Sequence, residues 1–186
     1  VRRGSITSAD GVLVVGAGPI GIATALFAKL AGADVSLIDV SEERLRRARD
    51  TLDIEQVHLV DEALKGWLEA RTGGDYFDAV FDATGNAQAM QTGFSYVAHG
   101  GRYVLVSVVK QDISFSDPEF HKREMQLIGS RNATRHDFQL VIDMINDGAI
   151  PTGALQTHSF DLTDLPHVVL DLAANAGSVL KAIGRL

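Results

Sequence analysis

The sequence predicts an α/β fold, a doubly wound parallel sheet of six strands with helices on both faces. Three observations carry this. Short runs of branched apolar residues alternate with helix-length connections through about residue 147. The runs are continuous rather than alternating, as in strands buried on both faces. The first run, Val12-Leu13-Val14-Val15, stops at three glycines, Gly16, Gly18 and Gly21, and a helical pattern starts directly after them. Alternation of this kind marks parallel strands joined by crossover helices.

The elements follow in order. Residues 1–10 are a polar lead-in, and the first strand is about 11–16. Pro19 opens a first helix, about 19–31, at the position where its missing N–H costs nothing. Ile20, Ala23, Phe27 and Leu30 share a face there, but other faces are apolar too, so the helix needs cover on more than one side. Gly32 suits a helix stop. The second strand is 34–39. Ser41 caps the next helix, with Glu42 and Glu43 in the first turn, where the helix dipole favours acids. Arg44, Arg46, Arg47 and Arg49 follow on it. A short third strand covers 57–60, then a helix carries Ala63, Leu64, Trp67 and Leu68 on one side, and Gly73-Gly74 marks a loop. The fourth strand is 77–82. Asn86 caps a helix with Ala87, Met90, Phe94 and Val97 on one face, closed by His99-Gly100-Gly101. The fifth strand is 102–108. A polar connection, 111–124, holds a short helix after Pro118, and the sixth strand, 125–130, is expected at a sheet edge. A helix at about 137–147 points Phe138, Val141, Ile142 and Ile145 inward. After a break at Gly148 to Pro151 the tail reads as a strand-like stretch (155–160), a helix with Leu165, Val168, Val169, Leu172 and Ala173 inward, and a short final segment at 180–183. The expected division is a domain over 1–150 and a separate C-terminal segment over 151–186.

Composition narrows the function. With 46% hydrophobic residues, 186 residues can bury a large core. The net charge of −7 argues against a nucleic acid or an anionic membrane as partner. No apolar run is long enough to span a bilayer, and Val1 to Ser5 lead into polar residues rather than a signal peptide. The chain lacks cysteine, so it holds no disulfide and no thiolate metal site. It starts at valine, and is expected to be a piece of something longer.

The chemistry gathers at strand ends. In the G-x-G-x-x-G pattern, Gly16 permits a sharp turn, Gly18 lets a pyrophosphate approach the backbone, and Gly21 lets helix and strand pack closely. Free N–H groups at the helix start suit an anion. The second strand ends in Asp39, where a carboxylate can accept both ribose hydroxyls of an adenosine and repel a 2′-phosphate. The pair points to a dinucleotide, NAD rather than NADP. Arg44, one turn beyond, is either part of a solvated face or a cover for the adenosine. Thr84 and Gly85 follow the fourth strand, and Val106 to Val108 end the fifth. Ligands of open parallel sheets sit beyond such carboxyl ends. The histidines (58, 99, 121, 136, 158 and 167) show no ligand spacing, and His136-Asp137 reads as a helix start.

The ordered set of motifs resembles a known family, the zinc-containing medium-chain alcohol and polyol dehydrogenases, near the sorbitol, threonine and sugar-acid branch. The resemblance rests on Val14-Val15-Gly16-Ala17-Gly18-Pro19-Ile20-Gly21, on Ile38-Asp39-x-Ser41-x-x-Arg44 and on Asp82-Ala83-Thr84-Gly85. It continues through Gly100-Gly101-Arg102-Tyr103-Val104-Leu105-Val106, Ile128-Gly129-Ser130-Arg131, and the ending His158-Ser159-Phe160 … Lys181. It implies a Rossmann domain in which Gly18, Pro19 and Ile20 line the pyrophosphate of NAD and Asp39 and Arg44 hold the ribose. Val106, Ser107 and Val108 would run along the nicotinamide, and Ser130, Arg131 and Asn132 would close its far side. A glycine often stands in the family where this chain has Ser107. The resemblance also implies a catalytic domain that supplies the zinc ligands, and nothing in this chain matches it. The segment from 151 is then a returning piece of that domain, and zinc is expected only there. A cytoplasmic homo-oligomer acting on a small alcohol or polyol is the expectation for the full-length enzyme. Two other readings stay open, a regulatory domain that senses NAD(H) without catalysis and a methyltransferase.

Overall fold

The computed structural model describes residues 1–175 and 177–186. It divides into two compact units, Val1–Arg131 and Asn132–Leu186.

The first unit holds a six-stranded, all-parallel sheet. Its strands are β1 (Gly11–Val15), β2 (Asp34–Asp39), β3 (Gln56–Leu59), β4 (Phe77–Asp82), β5 (Val97–Leu105) and β6 (Gln126–Gly129). They lie in the order β3-β2-β1-β4-β5-β6. The order reverses between β1 and β4, which opens a crevice at the carboxyl ends of the two strands. The connecting helices are α1 (Pro19–Leu30), α2 (Glu42–Leu52), α3 (Leu64–Thr72), α4 (Ala87–Gly93) and the short α5 (Asp117–Lys122). Val12, Leu13, Val14, Ala79, Val80 and Phe81 are fully buried on the two central strands. Consecutive buried residues require cover on both faces, because side chains alternate across a strand. The caps expected from sequence form: Ser41 accepts from the Arg44 N–H and Asn86 from the Ala89 N–H. β6 lies at a sheet edge, as expected.

One element differs from the sequence reading. The helix after Asn86 ends at Gly93, a 3-10 turn covers Phe94–Tyr96, and Val97 already begins β5. The glycine pair therefore lies inside a strand and does not close a helix. The pairing with β4 jumps from Phe77↔Val97 to Ala79↔Arg102, so the extra residues bulge out. Gly100 takes φ +71° there, and a Cβ on the buried Gly101 would lie 2.7 Å from a Val97 methyl. Val106 to Val108 consequently follow the strand instead of ending it.

The lead-in is stitched to the sheet by Arg102. Its guanidinium donates to the Gly4 carbonyl at 3.0 Å and pairs with the Asp10 carboxylate, which also accepts the Thr7 N–H at 2.6 Å. Burial pushes the Asp10 carboxyl up, but the Thr7 and Arg102 contacts outweigh this and hold it below its ordinary value. A lowered native value stabilises the fold above the unfolded carboxylate range and loses that contribution as pH falls through the native value. Asp10→Asn should cost about 1–2 kcal/mol at pH 7, a melting shift of about 3–6 °C. In thermal melts the gap to the unaltered protein should narrow as pH falls below the ordinary carboxylate range and through the lowered native value.

The second unit contains α6 (Arg135–Asn146), α7 (Thr152–Leu155), β7 (His158–Asp161), α8 (Leu165–Ala174) and β8 (Ala182–Arg185). β7 and β8 form a parallel pair. α6 starts in a capping box between Thr134 and Asp137, which accounts for the His136-Asp137 pair. The faces expected to be inward are covered only in part: Val141, Val168 and Leu172 are half-buried. Phe138 is 65% exposed and Ile142 50%, and on α8 Leu165 and Val169 are also exposed. A two-stranded sheet with short helices has too little surface of its own to cover them. Among the described residues no helix is long and apolar enough to cross a membrane.

Candidate functional site

The glycine turn after β1 is closed on one side and open on the other. Gly16 adopts φ +100°, donates its N–H to the Ile38 carbonyl at 2.7 Å, and lies so near Ala83 that a Cβ would sit 3.1 Å from its backbone. A Cβ on Gly21 would fall 1.7 Å from the Gly16 carbonyl oxygen. These two glycines are therefore demanded by the protein's own packing. Gly18 is different: a Cβ there meets nothing within 4 Å. It caps α1 without a side-chain hydrogen bond, followed by Pro19. First-turn N–H groups have no partner within their helix, so this end offers donors to an anion on the open side. Ile20, in the same turn, is 53% exposed.

Asp39 ends β2, where the sequence reading expects an adenosine ribose. Although buried, its carboxylate accepts the Ala17 N–H at 2.6 Å on Oδ2 and the Ser41 N–H at 2.7 Å on Oδ1. A carboxylate has about four acceptor positions, so two remain for a diol. The Arg44 guanidinium stands 3.9 Å from Oδ2 and is one-third exposed. Asp39 thus ties the second strand's end to the glycine turn.

Across the switch point the ends of β4 and β5 are joined by Asp82. It is fully buried. Its Oδ1 accepts the Ser107 hydroxyl at 2.7 Å and the Thr84 N–H at 3.1 Å, and the Thr84 hydroxyl donates to the same carboxylate at 3.0 Å. Ser107 Oγ in turn accepts the Gly85 N–H at 3.0 Å. Burial pushes the Asp82 carboxyl above its ordinary value, against the pull of Ser107 and Thr84. Burial also raises the Tyr103 phenol, and the nearby Asp82 charge adds to it. Val106 is half-buried and Val108 is 78% exposed beside this network.

Of the residues expected to close the far side, Ser130 is fixed beside β5 by its N–H to the Leu105 carbonyl at 2.9 Å. Arg131 ends the first unit and Asn132 opens the second, both exposed. The structure therefore gathers Gly16, Gly18, Pro19, Ile20, Gly21, Asp39 and Arg44 at one half of the sheet's carboxyl edge, and Thr84, Val106, Ser107, Val108 and Ser130 at the other. Sequence reasoning left two residues out of the site. Val40, directly after Asp39 at the end of β2, is 77% exposed. Asp82 carried a readable signal, an acid ending an otherwise apolar strand. The observations fit a dinucleotide: an open cradle at Gly18, donors at a helix start, and a carboxylate at the second strand's end. They do not fit zinc. Among the described residues no group of three or more His, Asp or Glu is placed to hold a metal ion.

Comparison with known proteins turns this fold into a family. The family model described as zinc-binding dehydrogenase matches residues 19–147. The chain belongs to the zinc-binding dehydrogenase family. The L-galactonate-5-dehydrogenase of Escherichia coli K12 is 37% identical over 98% of this chain and 54% of its own length. Sorbitol dehydrogenase 1 of Saccharomyces cerevisiae is 30% identical over 92% of this chain and 50% of its own. The chain thus spans about half the length of the curated relatives it matches. Among solved structures, a short chain alcohol dehydrogenase of Escherichia coli CFT073 complexed with NADH superposes with a TM-score of 0.89 at 23% identity, covering 98% of this chain and 54% of that one. The 2R,3R-butanediol dehydrogenase of Bacillus subtilis gives 0.88 at 22% identity, covering 100% and 53%. These two likenesses establish the Rossmann fold. The family is the one that the motifs resemble.

Proposed function

We propose that this chain is the NAD-binding portion of a zinc-dependent alcohol or polyol dehydrogenase. The observation that carries the reading is the pairing of an unobstructed glycine turn at Gly18 with the buried Asp39 carboxylate at the end of β2. In this reading the first-turn N–H groups beyond Gly18 hold the pyrophosphate, Asp39 accepts the adenosine ribose hydroxyls, and Arg44 lies along the same ribose. Thr84 and Val106 to Val108 line the nicotinamide, and Ser130, Arg131 and Asn132 close its far side. Bound NAD would supply the hydride acceptor, at C4 of its nicotinamide; the residues here bind and orient it.

The functional cofactor domain runs over 1–150, and 151–186 is a segment of the catalytic domain. The zinc site and most of the substrate pocket then lie in the part of the relatives that this chain does not span. A small alcohol or sugar-acid substrate is supported by the names of the relatives, L-galactonate-5-dehydrogenase and sorbitol dehydrogenase. The same names favour catalysis over a purely regulatory NAD(H) sensor. A cytoplasmic homo-oligomer completes the proposal.

Calorimetric titration tests it. NADH should bind saturably, and NADPH at least about 10-fold more weakly, a difference of about 1.4 kcal/mol. Absence of NADH binding would overturn the reading. The chain by itself should turn over no polyol with NAD, with or without added zinc; zinc-dependent turnover would show that the catalytic groups lie within it.

A further inference from the structure

We propose that Asp82 is a positioning residue for the nicotinamide half of the cofactor, clamping the turn after β4 to the turn after β5 through Thr84 and Ser107. The inference rests on the reading of this chain as an NAD-binding domain. Its basis is geometric. The Asp82 side chain has three donors, the Thr84 N–H, the Thr84 hydroxyl and the Ser107 hydroxyl. All lie in the two turns at the carboxyl ends. The Asp82 main-chain carbonyl adds two more, accepting the Val106 N–H at 3.0 Å and the Ser107 N–H at 3.2 Å. Ser107 passes the clamp on by accepting from Gly85, and Thr84 Oγ1 does so by accepting the Asn86 N–H at 3.1 Å.

The clamp is needed because packing does not supply the order. Gly85 and Val108 are exposed and Thr84 and Ser107 only half-buried, so burial holds these turns weakly. A fully buried carboxylate is costly unless its acceptors are satisfied. Burying one here to bind two surface turns makes sense where the position of those turns matters.

Its place in the sheet says which part of the ligand it serves. A doubly wound sheet consists of two mononucleotide-binding halves on either side of the switch point. Asp39 lies on the β1-β2-β3 side and Asp82 on the β4-β5-β6 side. The two buried acids therefore act on opposite ends of one dinucleotide.

This separates positioning from mere stability. NADH and ADP-ribose share the adenosine and the diphosphate; only NADH carries nicotinamide. Asp82→Asn keeps the size of the side chain but removes its charge and replaces the Oδ2 acceptor by a donor, so the Thr84 hydroxyl bond to Oδ2 is lost and the bonds from the Thr84 N–H and the Ser107 hydroxyl to Oδ1 are weakened to neutral ones. In titrations of the chain, Asp82→Asn should weaken NADH about 10-fold, leave ADP-ribose within about 2-fold, and reduce the fluorescence enhancement of bound NADH. Ser107→Gly removes the bridging hydroxyl but leaves the acid and its Thr84 donors in place, and should show the same selectivity if Asp82→Asn does not fold. Equal weakening of both ligands would make Asp82 purely structural and overturn the proposal, as would unchanged NADH binding in both variants. If the unaltered chain binds neither ligand, the cofactor reading itself fails and this inference falls with it.

Discussion

Gly21→Ala is expected to abolish NADH binding and to cost the fold about 3 kcal/mol or more. The new Cβ would stand 1.7 Å from the Gly16 carbonyl oxygen and 2.8 Å from its carbon. Both are backbone atoms, so no side chain can swing aside. Gly16 cannot retreat either. Its N–H is bonded to Ile38 and its far side touches Ala83. The turn must open, or α1 must lift from β1. Overpacking of this kind costs 1–3 kcal/mol where neighbours can adjust, and more where they cannot. For a chain of this length that is a melting shift of about 6–12 °C. Gly18→Ala is the internal control. Its Cβ meets nothing and its φ of −72° suits any residue. It should cost the fold no more than about 1 kcal/mol, through the poorer cap, yet weaken NADH about 10-fold or more by filling the space that a pyrophosphate approaches. Thermal melts and NADH titration of the two variants side by side check this. An unshifted melting point for Gly21→Ala would show that the turn has slack that its packing does not suggest.

Asp39→Ala should weaken NADH about 100-fold, close to 2.7 kcal/mol, while NADPH loses little or gains. One ribose hydrogen bond to the desolvated carboxylate accounts for most of this, since a hydrogen bond to a charged group is worth about 1.5–3 kcal/mol. The rest comes from the turn, which loses the Ala17 tether. NADPH responds differently because its 2′-phosphate is repelled by the carboxylate. The Arg44 guanidinium 3.9 Å away would become free to meet that phosphate. The ratio of the two dissociation constants should therefore fall by about 100-fold or more in paired titrations. An unchanged ratio would mean that the ribose is held by another group.

The carboxyl edge of the sheet was legible because apolar runs stop abruptly there: Val15 before Gly16, Ile38 before Asp39, Phe81 before Asp82. Each stop marks where a buried strand ends, at the carboxyl edge of the sheet. The bulge in β5 was not legible, since His99-Gly100-Gly101 reads equally well as a helix stop, and only the pairing with Phe77 and Ala79 shows otherwise. The joints between distant residues were hidden too. Nothing in the local pattern says that Arg102 reaches Asp10, or that the Ser107 hydroxyl reaches Asp82. On α6 the period correctly picks out an apolar face at Phe138, Ile142 and Ile145. Periodicity shows which face is apolar but does not show that anything covers it, and here these residues are exposed.

The glycine turn hangs directly on the innermost strands. Gly16 is hydrogen-bonded to Ile38, and Val15 accepts the Ala83 N–H at 2.8 Å. The turn cannot be formed while those strands are apart, so a nucleotide seated on it has no counterpart to bind in the denatured chain. Mass action then makes the ligand a folding partner. At a free concentration 100 times its dissociation constant it would add about 2.7 kcal/mol to the unfolding free energy, a substantial fraction of what holds a domain together. In a cell, the nucleotide pool would thus set how long such a domain survives against proteolysis, whether or not any alcohol is present.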